Sequence, residues 1–133
     1  MRRLAPLGLL LAAHCAPAAD GGEQVWAAGK DGLCLVGAGE QLRAGLITYG
    51  SGNTNCTLSG PAERQGETLT ITPTGDSACR VQVTISDGRA VLGNREPACS
   101  YYCGPGADFA GRTLQQANRP AQSVTDFAGD PLC

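Results

Sequence analysis

Cys34, Cys56, Cys79, Cys99, Cys103 and Cys133 restrict what this chain can fold into more than any other residues. Each must end as a free thiol, a metal ligand or one end of a cross-link, and the compartment decides which. The N-terminus, MRRLAPLGLLLAAHCAPAAD, points to an exported chain and so to an oxidising compartment. Arg2 and Arg3 form a positive n-region, and Leu4 to Ala13 is a short apolar run. Ala16-Pro17-Ala18 then supplies the small residues of a cleavage site. This pattern is that of a secretory signal peptide over 1–18, cut after Ala18, and residues 19–133 form a single domain. Cys15 leaves with the leader, and six cysteines remain. An even six in a short exported chain implies three disulfides, with fifteen pairings open. The alternative, a lipoprotein anchored at Cys15, requires a small residue before the cysteine, where His14 stands. The expected location is therefore periplasmic or secreted. The apolar run falls well short of the ~20 residues that span a bilayer, so no membrane span is expected.

The mature chain reads as mostly β. In CRVQVTI, Val81, Val83 and Ile85 alternate with Arg80, Gln82 and Thr84, the signature of a strand with one buried and one wet face. Asp87-Gly88 then makes a hairpin turn into RAVLG. QVWAA, LCLVG, LITYG, NCTLSG (ending at Gly60-Pro61) and ETLTITP read as further short strands. About seven strands on tight turns predict a small antiparallel meander closed as a barrel or sandwich, which removes its exposed edges. Trp26 belongs in the core. Residues 107–117, ADFAGRTLQQA, predict one short C-terminal helix with Asp108 near its start. The tail NRPAQSVTDFAGDPLC has no periodicity, and a staple at Cys133 would tie it down.

Several chemistries are excluded by what the mature chain lacks. The chain's one histidine, His14, lies in the leader, which removes Ser-His-Asp and Cys-His catalysis and His-ligated metal sites. Lys30 is the only lysine and has no S-x-x-K pattern around it. No phosphate-binding glycine loop or calcium loop is present. With Arg2 and Arg3 removed, 8 of the 10 basic side chains remain against 12 acidic ones, a net charge of −4 with no basic cluster. A nucleic-acid partner is not expected on that balance. No catalytic residue, cofactor or metal is predicted, and a monomer is expected. The reading is a non-catalytic secreted or periplasmic binding domain whose partner is an envelope or secreted protein. A small hydrolase built on paired carboxylates is the enzymatic alternative.

The stretch ACSYYCGPGADFAG holds Cys99 and Cys103 in C-x3-C spacing, not the C-x2-C of redox sites. Tyr101 and Tyr102 favour an extended segment. Its cysteine Cα atoms would then lie about 13 Å apart, beyond the ~7 Å limit for a mutual disulfide. The two sulfurs should therefore staple to different partners, and Gly104-Pro105-Gly106 turns the chain away.

VWAAGKDGLCLVG, with a second cysteine at Cys56, resembles the start of small periplasmic β-barrel inhibitors of secreted metalloproteases, over about residues 24–60. The resemblance implies an inhibitor of an envelope or secreted protease. It also implies a Cys34–Cys56 bond, which both residues' place in early strands suits. Inhibitors of c-type lysozyme share the small barrel and carry an S-G-x-x-Y motif. Ser51-Gly52-Asn53-Thr54-Asn55 matches that motif without the tyrosine. The C-terminal half is similar to short Cys-rich exported proteins of Gram-negative bacteria that have no assigned activity. The hairpin at Asp87-Gly88 brings Cys79 near Cys99, and Cys103–Cys133 follows by elimination.

Overall fold

The strands close into a cylinder because each contributes apolar side chains to one shared interior. The computed structural model describes residues 22–133. The leader and Cys15 lie outside the described residues. Eight strands follow in order: β1 (Glu23–Ala28), β2 (Asp31–Val36), β3 (Arg43–Tyr49), β4 (Asn55–Gln65), β5 (Thr68–Ile71), β6 (Val81–Ser86), β7 (Arg89–Leu92) and β8 (Thr113–Ala117). Each pairs antiparallel with the next, and β1 pairs with β8, so the meander closes into a barrel without an open edge. The predicted hairpin at Asp87-Gly88 is present as a two-residue loop with both residues at positive φ, 53° and 75°. That is the turn whose twist matches the flanking strands.

The interior is filled by side chains. Trp26, Leu33, Leu46, Leu69, Ile71, Leu92, Leu114 and Phe109 are all essentially inaccessible to solvent. Trp26 is thus a core residue, as expected. A second, smaller cluster lies outside the cylinder. Val25, Cys34 and Ile47 point outward from β1, β2 and β3 and are covered by Ala121 and Val124 of the C-terminal tail, with Leu132 packed alongside. The tail carries a small hairpin: Thr125 bridges Pro131, and the Leu132 N–H donates to the Val124 carbonyl. It lies this close because β3 has a glycine beneath it. A Cβ on Gly45 would sit 2.5 Å from Leu132 Cβ.

Three expectations are corrected. The helix over 107–117 does not form; its second half is β8, and the nearest helical turn is a single 3-10 turn at Ala121–Ser123. Gly111 at φ 74° interrupts any helix there, and the free edges of β7 and β1 both need the strand. Asp108 still caps locally, its Oδ1 accepting from the Ala110 N–H at 3.0 Å. Second, β4 does not stop at Gly60-Pro61 but runs to Gln65. Pro61 falls where the strand passes from pairing with β3 to pairing with β5, a changeover that tolerates a missing N–H.

The third correction is the disulfide map. Cys79–Cys99 forms as expected, with Cα atoms 4.8 Å apart. Cys34–Cys56 and Cys103–Cys133 do not form. The bonds are Cys34–Cys133 and Cys56–Cys103. Cys34 lies in the outer cluster and Cys56 in the inner one, so the barrel wall separates them. Cys34 can therefore meet only a segment that crosses the outside, which is the tail.

Candidate functional site

The β7–β8 connection, residues 93–112, folds over one mouth of the barrel. Pro97 starts a 3-10 helix, Pro97–Tyr102, because its ring presets φ and its absent N–H is not needed at a first turn. In CSYYC, Cys99 to Tyr102 are therefore helical and only Cys103 is extended, a further correction. The expectation that its two cysteines take different partners holds. Cys99 is tied to Cys79, ahead of β6, and Cys103 to Cys56 on β4. The chain is fixed again just after Cys103, where the Gly104 N–H donates to the Asn55 carbonyl at 2.9 Å. Below this cap Phe109 is fully buried and plugs the mouth.

Between the two cross-links stand Tyr101 and Tyr102, and they do different things. Tyr102 is half-buried and its hydroxyl donates to Asp76 Oδ2 at 2.7 Å. Asp76 is itself fixed in a turn, with Oδ1 accepting from the Ala78 N–H at 3.1 Å. The hydrogen bond from Tyr102, followed by that from Ala78, holds the Asp76 carboxyl below its ordinary range. The same carboxylate pushes the Tyr102 phenol up to about 12, because ionising it would place two negative charges on one hydrogen bond. Tyr101 is 87 % exposed and meets Tyr102 edge-on, with ring centroids 5.2 Å apart and planes at 85°. An aromatic ring is thus presented to water from a backbone cross-linked on each side, with an anchored ring edge-on beside it.

At the same mouth, Asp31 at the start of β2 accepts from Arg112 Nη1 at 2.8 Å and from the Tyr49 N–H at 2.8 Å. This joins the end of the cap to β2 and β3. Arg95 Nη1 donates to the Ala107 carbonyl at 3.0 Å and ties the cap to itself.

Two of the cavities among the described residues open on the outer wall. One, about 480 Å³, lies across β4, β5 and β6 and is lined by threonines 68, 70 and 72 with Glu63, Arg80 and Gln82 among others. The other, about 230 Å³, lies between the β1–β2 turn, β3 and the tail. Each has a single carboxylate on its lining, Glu63 in the first and Asp31 in the second, so neither brings together the acid pair that glycoside hydrolysis uses. Among the described residues, no three His, Cys, Asp or Glu side chains cluster as metal ligands would. All six predicted site cysteines are in disulfides, two of them framing the Tyr101 cap. The Asp76–Tyr102 pair has no signal in the sequence, where 26 positions separate the partners. No family model, curated protein or solved structure matches this chain.

Proposed function

We propose that this protein is a non-catalytic binding module of the periplasmic or secreted space, and that the Cys99–Cys103 cap is its contact surface. The observation that carries this reading is Tyr101, 87 % exposed, on a backbone segment fixed between two disulfide-bonded cysteines. Exposing a large ring to water has no folding advantage. Fixing its backbone beforehand lowers the ordering cost that association otherwise incurs. Tyrosine is also among the residues that dominate protein interfaces, since it offers a broad apolar face and a polar tip. The filled barrel supports the reading from the other side, because the side chains of the core occupy the space an internal ligand would take. The three disulfides support an oxidising compartment. Inhibition of a secreted protease or lysozyme is one form such binding takes.

The test uses the oxidised protein immobilised beside a Tyr101→Ala variant, each exposed to periplasmic and secreted extract. A stoichiometric protein partner retained by the first and lost by the second supports the reading. Equal retention by both removes Tyr101 from the interface. Turnover of a glycan that is lost on replacing one acidic residue overturns the non-catalytic assignment.

A further inference from the structure

The tail covers apolar side chains of the wall with few polar ties to hold it there. Val25, Cys34 and Ile47 face outward and are buried under Ala121 and Val124, with Leu132 alongside. Among the described residues, one hydrogen bond joins residues 121–133 to the barrel, from the Ala121 N–H to Glu23 Oε2 at 3.1 Å. The other hydrogen bonds of this segment close on the tail itself, as from Leu132 to Val124 and from the Asp130 N–H to the Asp126 carboxylate. Burial of Ala121 and Val124 does not by itself outweigh the entropy of ordering residues 118–133. The covalent tie, Cys34–Cys133, makes up the difference. The other two cross-links join segments that are fixed without them. Cys56 and Cys103 face each other in a β-bridge, and the Gly104 N–H donates to the Asn55 carbonyl beside them. Cys79 and Cys99 are wholly buried, and the Cys99 N–H donates to the Glu96 carbonyl within the cap. Cys103 and Cys133 are both half-buried, so access to sulfur does not distinguish their bonds. What distinguishes them is where the thiols go once a bond is cut.

We infer that Cys34–Cys133 is a redox latch, and that the tail is a strap which it closes over the outer face of β1, β2 and β3. The reductant is a dithiol. One of its thiolates attacks Cys133 Sγ, the bond to Cys34 breaks, and Cys34 leaves as a thiolate that takes up a proton. The second thiol then displaces Cys133 from the mixed disulfide. The reductant ends as a disulfide, and two electrons and two protons have passed to the protein. With the bond cut, Cys133 moves at the end of a tether, residues 118–133, and its effective concentration at Cys34 falls. The Cys56–Cys103 and Cys79–Cys99 pairs stay side by side and keep theirs. Cys34–Cys133 is therefore the first bond to open as the dithiol becomes more reducing. Opening uncovers Val25, Ile47 and the Cys34 thiol on the wall. The Tyr101 cap keeps its form in both states, because the other two bonds hold it. The latch does not depend on Tyr101 being a contact residue.

The full oxidised protein, equilibrated with mixtures of dithiothreitol and its cyclic disulfide, tests this. Free thiols are alkylated and mapped by mass, and amide chemical shifts are followed in the same mixtures. Cys34 and Cys133 should be half-alkylated at a ratio of dithiothreitol to its disulfide about tenfold or more below that needed for the other four cysteines. In step with that change, the amides of residues 121–125 and of Leu132 should move to disordered-chain values while those of β4 to β8 stay in place. Restoring the oxidising ratio should re-form the bond and return the shifts. Cys34→Ser with Cys133→Ser should show the released-tail shifts without reductant, and the reduced parent carries the same test if that variant does not fold. All three bonds opening at one ratio, another bond opening first, or residues 121–125 keeping their shifts after Cys34–Cys133 is cut would overturn the latch. Failure of the bond to re-form would overturn its reversibility and the latch with it.

Discussion

Gly45 has no side chain, and the outer cluster depends on that. An added Cβ would lie 2.5 Å from Leu132 Cβ and 3.0 Å from Cys34 Sγ, so neither the tail nor its cross-link can keep its place. Gly45→Ala should destabilise the domain by about 1–3 kcal/mol, the usual cost of overpacking. Denaturant midpoints would measure this, and accelerated chymotryptic cleavage at the exposed Phe127 would locate it in the tail. At the opposite extreme, one hydrogen bond sets the pH range of the cap. Tyr102 has its phenol raised from 10.0 to about 12, so its contribution is complete below pH 10 and disappears as pH climbs through 12. Asp76 is shifted downward, so its share is present above the ordinary aspartate value and disappears as pH falls through the lowered one. Ultraviolet titration should therefore show a tyrosinate step near pH 12. Asp76→Asn should bring that step back toward the ordinary value, and an unchanged late step would detach Tyr102 from this carboxylate.

Among the elements, the tail depends most on a covalent tie. Cys34–Cys133 spans 99 positions, although the Cys56–Cys103 bond shortens the loop it closes. On the chain-entropy model a loop of this order is worth about 4 kcal/mol. Cys34→Ser with Cys133→Ser should release residues 118–133 to proteolysis and leave the barrel resistant, as mass mapping of the fragments would show. This pairing was open to deduction from the sequence. In DGLCLV, Leu33 and Leu35 share a strand face, so Cys34 must lie on the other, whereas Cys56 shares a face with Leu58 and Ala62. Parity separates the two cysteines, against the Cys34–Cys56 bond that the inhibitor resemblance implies. Strand β8 was not legible in the same way. Only Leu114 of its five residues is buried, so it has no alternation to read, and it is a strand because β7 and β1 both need a partner. CSYYC was legible as a stapled corner, but the exposure of Tyr101 depends on where Cys56, Cys79 and Asp76 are brought by the fold.

At the level of the whole molecule, the meander is a set of local hairpins followed by one long-range closure, β8 onto β1. The two bonds on the cap secure the mouth, and the third secures the outer wall. That third bond also decides how the molecule carries a load. Tension applied between Glu23 and Cys133 does not travel through β3 to β8. It passes from Cys133 into Cys34, which sits opposite Val25 on the neighbouring strand. The only backbone in line is the β1–β2 hairpin, and peeling it apart can release no more than about 40 Å of chain. Once that single bond is reduced, the path runs on to Cys56, crosses to Cys103 and continues to Cys133, roughly six times as far. A single-molecule stretching trace would resolve the two lengths, and the oxidised molecule would behave as a short tether fastened to an inextensible bead.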